Sequence, residues 1–392
     1  MIKRRLFLTP RARQILTMCV LGLLSYALLI YTGVLGSRSK PPTIITYVTS
    51  NAAAKRNLNA TLSLLRQSDA TLNLRLAVVD KDAHLFGMSA SEALQRRPEA
   101  LQLCRTSATI VIGDSLPKAR HVLSALAAGL CTEPRRIVIE LYTRFDYGVA
   151  EPDLPSYNAL IRDLIARRPG NLVWASTTIF EMESMRQKLG VAPPYVLLRP
   201  LGVSEQDVDP GSIAITDPRV GLNPALDRSI YSVFIPGEEN LDHVTGFSGI
   251  PRHVLRMKCY VEFPAKVGGY DVVERLANGV PLVVPSARLM EDLAKQGRHR
   301  TFQHFPALYE ISERTGKPWH AYVDYYDPNI APYVHYVDSL DEIVSMIEEN
   351  SMKAALEFDR ERNVRERAPR FFRGSEWRGQ VLQKWQQILD LL

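Results

Sequence analysis

No Cys-x-x-Cys pair and no His-x-x-x-His spacing occurs in the 392 residues, although eight histidines are present. The usual zinc-ligand patterns are therefore missing. There is no Gly-x-Ser-x-Gly elbow and no P-loop, which argues against esterase and nucleotide-triphosphatase chemistry. Cysteine is scarce: beyond Cys19, which sits in an apolar run, only Cys104, Cys131 and Cys259 remain. Three thiols cannot all pair within one chain, so at most one disulfide forms and the fold is not built on disulfides. A Cys104–Cys131 bridge and three buried free thiols both stay open. Charge excess is equally scarce away from the N-terminus. Lys3, Arg4, Arg5, Arg11 and Arg13 are five of the 48 basic residues, and without them 43 basic side chains face 42 acidic ones. Nothing marks a phosphate-backbone surface, so nucleic acid is not expected as a partner. Internal repeats and low-complexity tracts are also missing.

Behind that basic tail (1–14) comes a run that lacks charge altogether, Ile15 to Leu35. Its 21 residues span about 32 Å as a helix, enough to cross a bilayer core of roughly 30 Å. A cleaved signal peptide has a shorter apolar core and a small-residue cleavage site, for which Val34-x-Gly36 is a poor match. Residues 15–35 are thus expected to be an uncleaved anchor in the membrane. The basic excess on the tail keeps the N-terminus cytoplasmic and places the body in the lumen of the Golgi or endoplasmic reticulum. Asn59-Ala60-Thr61 is a glycosylation sequon consistent with that side.

With 46% hydrophobic and 23% charged residues, the remainder has material for two domains. After a short stem (36–42), Val- and Ile-rich runs at 43–50, 75–80, 108–115, 135–141, 171–176 and 195–200 alternate with helical periodicity. Non-alternating strands separated by helices predict a parallel sheet covered on both faces. Residues 43–203 accordingly read as a Rossmann-like domain. The Gly, Pro and Asp content of 204–227 predicts a linker. A second Rossmann-like domain follows at 228–368, with "SIYSVFIPG", "KCYVEFP" and "PLVVPS" as its expected strands. The terminal segment 369–392 carries Trp377, Val381, Leu382, Trp385, Ile388 and Leu389 at helical spacing. The predicted fold class is α/β, an N-terminal transmembrane helix followed by two Rossmann-like domains.

The stretch "PAKVGGYDVVERLANGVPLVVPS" (264–286) carries the chemistry. Pro264 ends a strand, and Gly268-Gly269 turn the chain or admit a ligand close to the backbone. Asp271 is a first-turn acid or N-cap, and Val272, Val273, Leu276 and Ala277 mark one helical face. Asn278-Gly279 and Pro281 stop the helix. A helix N-terminus behind glycines presents free N–H groups and partial positive charge to a diphosphate. Plain helix-to-strand packing is the alternative.

"GGYDVVERLANGVPLVV" resembles the donor-binding stretch of GT-B glycosyltransferases. The resemblance implies a nucleotide sugar as donor substrate, a glycan or glycoprotein as acceptor, no cofactor and no metal, with Glu274 holding the ribose and the final helix, in 369–392, crossing back onto the first domain, for which ordinary core packing is the alternative. The family's earlier acid, eight positions before that glutamate, is replaced by Lys266, which suits phosphate oxygen. The family's Gly-Arg pair is replaced by "IPGEEN", leaving Arg252, Arg256 and Lys258 as substitutes. The first domain is then expected to provide a base for the acceptor hydroxyl. Asp114 in "VIGDS" is the first choice, ahead of Asp80 and Asp146.

Two other readings stand beside this one. A non-catalytic GT-B-like lumenal protein that binds glycans or serves as a scaffold is favoured by Lys266 and the missing Gly-Arg pair. A metal-dependent transferase would use Asp80-x-Asp82 or Asp207-x-Asp209. The aromatic cluster Trp319, Tyr322, Tyr325, Tyr326, Tyr333 and Tyr336 offers either ring faces for a sugar or base, or ordinary packing.

Overall fold

A computed structural model describes residues 43–49, 51–69, 72–80, 87–113, 116–203, 214–222, 230, 233–234, 239–243, 253–264, 267–298 and 305–389. The expected anchor at 15–35 lies outside the described residues. No helix among the described residues is long and apolar enough to cross a membrane.

The first sheet contains β1 (Thr43–Thr49), β2 (Leu74–Asp80), β3 (Thr109–Ile112), β4 (Arg136–Leu141), β5 (Leu172–Ser176) and β6 (Val196–Leu197). They pair in the order β2-β1-β3-β4-β5-β6, every pair parallel. Each falls within an apolar run read from the sequence, except that β2 begins one residue earlier, at Leu74. Parallel strands need crossovers, and helices α1 (Ala52–Ser68), α2 (Ala90–Gln95), α3 (Arg97–Thr106), α4 (Arg120–Ala127), α5 (Leu154–Arg167) and α6 (Ile179–Leu189) provide them. Local signals fix their ends. The Asn51 side chain caps α1 by accepting from the Ala54 N–H at 2.9 Å, and Thr178 caps α6. Gly190, at a φ of +74°, closes α6. The chain runs from β1 outward to β2 and then back to β3 on the other side of β1. That reversal is where α/β sheets open a crevice at their carboxyl edge.

The second sheet contains β7 (Asp217–Leu222), β8 (Leu241–His243), β9 (Met257–Val261), β10 (Leu282–Pro285) and β11 (Val334–Val337). Its order is β11-β10-β9-β7-β8, again parallel throughout. Helices α7 (Tyr270–Ala277), α8 (Ala287–Lys295), α9 (Phe305–Thr315), α10 (Leu340–Glu348), α11 (Met352–Arg362), α12 (Val364–Phe372) and α13 (Ser375–Leu389) accompany it. One expectation is corrected here. The strand beside β9 is Asp217–Leu222, inside the stretch read as linker, whereas Val233 and Phe234 of "SIYSVFIPG" form a turn. Only the second half of β7 is buried and Arg219 pairs with Asp217 at its mouth, so its polar start looked like a linker. Phe234 is apolar because its ring packs beside Phe263, at 6.3 Å between centroids, not because it is extended.

Among the described residues, the buried side chains form three clusters. One covers a single face of the first sheet, from Val48, Ile110, Ile112 and Ile139 to Tyr157, Leu164 and Met185. Another covers a face of the second sheet, through Val220, Val261, Val283 and Ile343. The third is shared, running from Ile45, Leu58 and Val138 into Val272, Val273, Leu276, Phe372, Trp377 and Trp385. Helix α13 contributes to this shared cluster against α1 and β4. There the Trp377 indole donates to the Pro200 carbonyl at 2.9 Å, and Lys384 donates to that of Leu197 at 2.8 Å. Cys104 and Cys131 are joined in a disulfide, and Cys259 is a buried free thiol pushed up to about 12 by burial.

Candidate functional site

The turn ahead of α7 follows the carboxyl end of β9, as the order of elements in the sequence required. Gly268 has no room for a side chain, because a Cβ there would collide with the Asp324 carboxylate. Gly269 adopts φ +155° and ψ −176°, a combination open essentially to glycine. Both glycines are buried. Asp271 lies in the first turn, Asn278 at the C-cap, and Gly279 at φ +73° ends the helix. The apolar face Val272, Val273, Leu276 and Ala277 is buried in the shared core.

An anion already rests in this turn. The Asp324 carboxylate accepts from the Gly269 N–H, and the Asp324 N–H donates to the Val267 carbonyl at 2.7 Å. Arg199, two residues beyond β6 in the first sheet, bridges Asp324 and Asp327 and also donates to the Thr177 carbonyl at 3.3 Å. Burial pushes the Asp324 carboxyl up to about 6, against the pull of Arg199 and the Gly269 amide.

Glu274 is only 5% exposed. Its two carboxylate oxygens each lie 3.3 Å from Nη2 of Arg56, which extends from α1. Beside it the two sheets share a second carboxylate. Glu140, on β4, accepts from the Tyr47 hydroxyl at 2.8 Å and from the Tyr270 hydroxyl at 2.7 Å. Tyr270 opens α7 and meets Tyr142 edge-on at 5.3 Å. Burial raises the Glu140 carboxyl, and the two donated hydrogen bonds oppose that shift.

Glu181 completes the group. It lies in the first turn of α6, just after β5, and is 2% exposed. Burial pushes its carboxyl up to about 8; Arg144 opposes this, while Asp146 and Asp324 reinforce it. Among the described residues its Oε2 has no hydrogen-bond partner. A carboxylic acid that keeps its proton near neutrality has the property required of a general acid.

The structure divides the predicted residues. Gly268 and Gly269 both lie against Asp324, the second donating to it, and Glu274 is paired with Arg56. Asp114, Lys266 and Arg252, the side chain of Asp80, and Asp82, Asp207 and Asp209 lie outside the described residues. Arg256 is exposed and immediately precedes β9. It is therefore separated from the glycine turn by the strand's five residues, roughly 16 Å, and its expected donor contact is withdrawn. Lys258 is also withdrawn. It is buried, and its ammonium donates to the carbonyls of Met346 at 3.0 Å and Glu349 at 3.3 Å, finishing α10. Asp146 is held by Arg144 at 2.7 Å and Lys188 at 2.5 Å. Asn59 is exposed on α1. The aromatic cluster packs on itself, with Tyr326 stacked on Tyr336 at 5.6 Å and Trp319 edge-on to Tyr326 at 5.7 Å. No set of three or more His, Cys, Asp or Glu side chains among the described residues is grouped to hold a metal ion. A cavity of about 360 Å³ lined by Leu172, Trp174, Pro193, Pro194, Tyr195 and Val196 opens beside the starts of β5 and β6, away from these groups.

Arg199, Asp324, Asp327, Glu140, Tyr270, Glu181 and Arg56 were not singled out for the site from sequence. They come from six separated segments, and no local spacing joins them.

No protein-family model matches the chain, and no curated protein matches it. Among solved structures, the glycotransferase of kitacinnamycin is similar at 12% identity with a TM-score of 0.31, over 87% of this chain and 100% of that one. A putative UDP-N-acetylglucosamine 2-epimerase from Listeria monocytogenes is similar at 9% identity with a TM-score of 0.38, over 80% of this chain and 98% of that one. At such scores neither neighbour informs the site.

Proposed function

We propose that the chain is a glycosyltransferase that takes a sugar from a nucleotide-sugar donor to a glycan or glycoprotein acceptor. One observation carries this reading. A glycine turn at the carboxyl edge of the second sheet, shaped to hold an anion at the start of α7, faces the carboxyl edge of the first sheet through Arg199 and Glu140. In this reading the donor's diphosphate lies on the Gly268-Gly269 amides and Glu274 turns from Arg56 to the ribose. Lys266 approaches the phosphates. Amides and cations stabilise the departing diphosphate without metal. Asp114 serves as base toward the acceptor hydroxyl. The chain is anchored through residues 15–35 with its body in the Golgi or endoplasmic reticulum lumen, glycosylated at Asn59.

The occupied turn favours a second reading, a non-catalytic protein of the same architecture in which Asp324 and the Arg56–Glu274 pair are permanent struts. Thermal unfolding of the full chain in detergent separates the two. A nucleotide diphosphate at a hundred times its dissociation constant adds about 2.7 kcal/mol, a rise of ~5 °C for a body of this size. Glu274→Ala is expected to abolish that rise. No rise with uridine, guanosine, adenosine or cytidine diphosphate would sink the transferase reading in favour of the strut.

A further inference from the structure

Arg199 and Asp324 are unusually arranged for a purely structural pair. A half-buried guanidinium just beyond the first sheet is neutralised by two acids, Asp324 and Asp327, that belong to the second. One of those acids also takes up backbone N–H of the glycine turn. Two of the groups that hold the Asp324 carboxylate are ones that a phosphate oxygen would also use, an amide at the start of a helix and a fork-shaped cation, while Asp327 and Glu181 are the acids beside it. Glu181 provides a second, independent sign. Its Oε2 is buried with no hydrogen-bond partner among the described residues, and the group faces Asp324.

We propose that Asp324 is a resident stand-in for the donor's diphosphate, and that the donor binds by displacing it, with Arg199 passing from the two carboxylates to the phosphates. This rests on the transferase reading and adds the cation that the sequence did not reveal, a first-sheet arginine in place of the missing Gly-Arg pair. No covalent bond changes; a carboxylate leaves the amides, and a phosphate takes its position. The affinity observed is the intrinsic one reduced by the fraction of molecules whose turn is open.

Proton binding sets that fraction. The charged groups around Asp324 are Arg199, Asp327 and Glu181, with Arg144 and Asp146 behind Glu181. With its carboxyl raised to about 6, Asp324 is ionised at pH 7.5, where it holds the turn, and mostly protonated at pH 5, where its hold on the amide and on Arg199 weakens while Asp327 keeps its pair with Arg199. Donor affinity is therefore expected to rise as pH falls through about 6.

Calorimetric titration of the full chain in detergent with UDP-glucose and GDP-mannose at pH 7.5 and 5 tests this. Both phosphates of these probes remain singly charged across the range, so the slope reports the protein. Wild type is expected to bind roughly thirtyfold tighter at pH 5, and Asp324→Asn roughly thirtyfold tighter than wild type at pH 7.5 with the slope gone. Arg199→Met is expected to weaken binding at both pH values, whereas a residue that only held Asp324 in place would make that variant bind better. Binding without a pH slope in wild type, or an Asp324→Asn that gains nothing, overturns the exchange and leaves the transferase reading standing. If both probes and inorganic pyrophosphate fail to bind any of the three proteins, both proposals fall together. The wild-type slope needs no variant to fold.

Discussion

Glu181 shows what a single buried acid costs. Its carboxyl is displaced from 4.5 to about 8 because no water reaches it. The folded chain therefore keeps a proton that the unfolded chain releases above pH 4.5. By linkage, stability contributed by this group is complete below 4.5, declines as pH rises toward 8 and is then exhausted. Glu181→Gln, with the same shape and no charge to bury, is expected to flatten that decline. The variant should gain a few kcal/mol over wild type at pH 8 and about nothing at pH 4.5. Urea midpoints at the two pH values measure it, and a constant difference between the proteins would refute the assignment. At this scale the sequence was only partly legible. Gly268 and Gly269 announced themselves because a glycine pair before an apolar helix is a local pattern, whereas Glu274 entered only through the resemblance of that stretch to a donor-binding one. Arg199 and Asp324 did not, since 125 residues separate them and each looks like an ordinary loop charge.

The strands of the first sheet were legible almost throughout because a strand buried on both faces writes a continuous apolar run. β7 was not, because burial begins only at Val220 and Gly and Pro surround it. In "SIYSVFIPG" the apolar pattern correctly indicated burial but not geometry. Helix starts carry a local signal where a cap side chain is present, as at Asn51, Thr178, Ser286, Ser339 and Ser351, although none of these was used to place a helix from the sequence. The Cys104–Cys131 bridge ties the end of α3 to the connection after α4, across 27 residues. Closing a loop of that length is worth about 3 kcal/mol through the unfolded chain. The paired Cys104→Ala, Cys131→Ala variant should lose that much in chemical unfolding. Reductant should produce the same loss in wild type and none in the variant, and equal stability of the two proteins would show the bridge to be energetically idle.

For the whole molecule, the last helix matters most. Trp377 binds the Pro200 carbonyl, meets Phe372 edge-on at 5.0 Å and tilts against Phe371 at 5.7 Å. It sits where the first-sheet body, α12 and α13 converge. Removing a buried indole costs about 4 kcal/mol, whereas Trp377→Phe, which loses chiefly the hydrogen bond, should cost roughly 1 kcal/mol. Unfolding followed separately by near-ultraviolet dichroism and by limited proteolysis is the measurement. Trp377→Ala should lower the common midpoint of both probes, and a midpoint unchanged by that variant would count against the helix as a clasp. The α/β class and the alternation of elements were legible in the sequence. The packing of α13 was not determined by its stripe of Trp, Val and Leu, which would suit any core, and only the partners at Pro200 and Leu197 settle where it lies.

That return of α13 gives the polypeptide a nested grammar. The first sheet opens the sentence at Thr43, the second sheet is spoken as a parenthesis after Leu201, and α13 closes the bracket where the sentence paused. Each edge of the parenthesis is thus moored to the same host, so the enclosed lobe moves only on a double tether. Any swivel that draws Tyr270 away from Glu140 must twist both strands of that tether in concert.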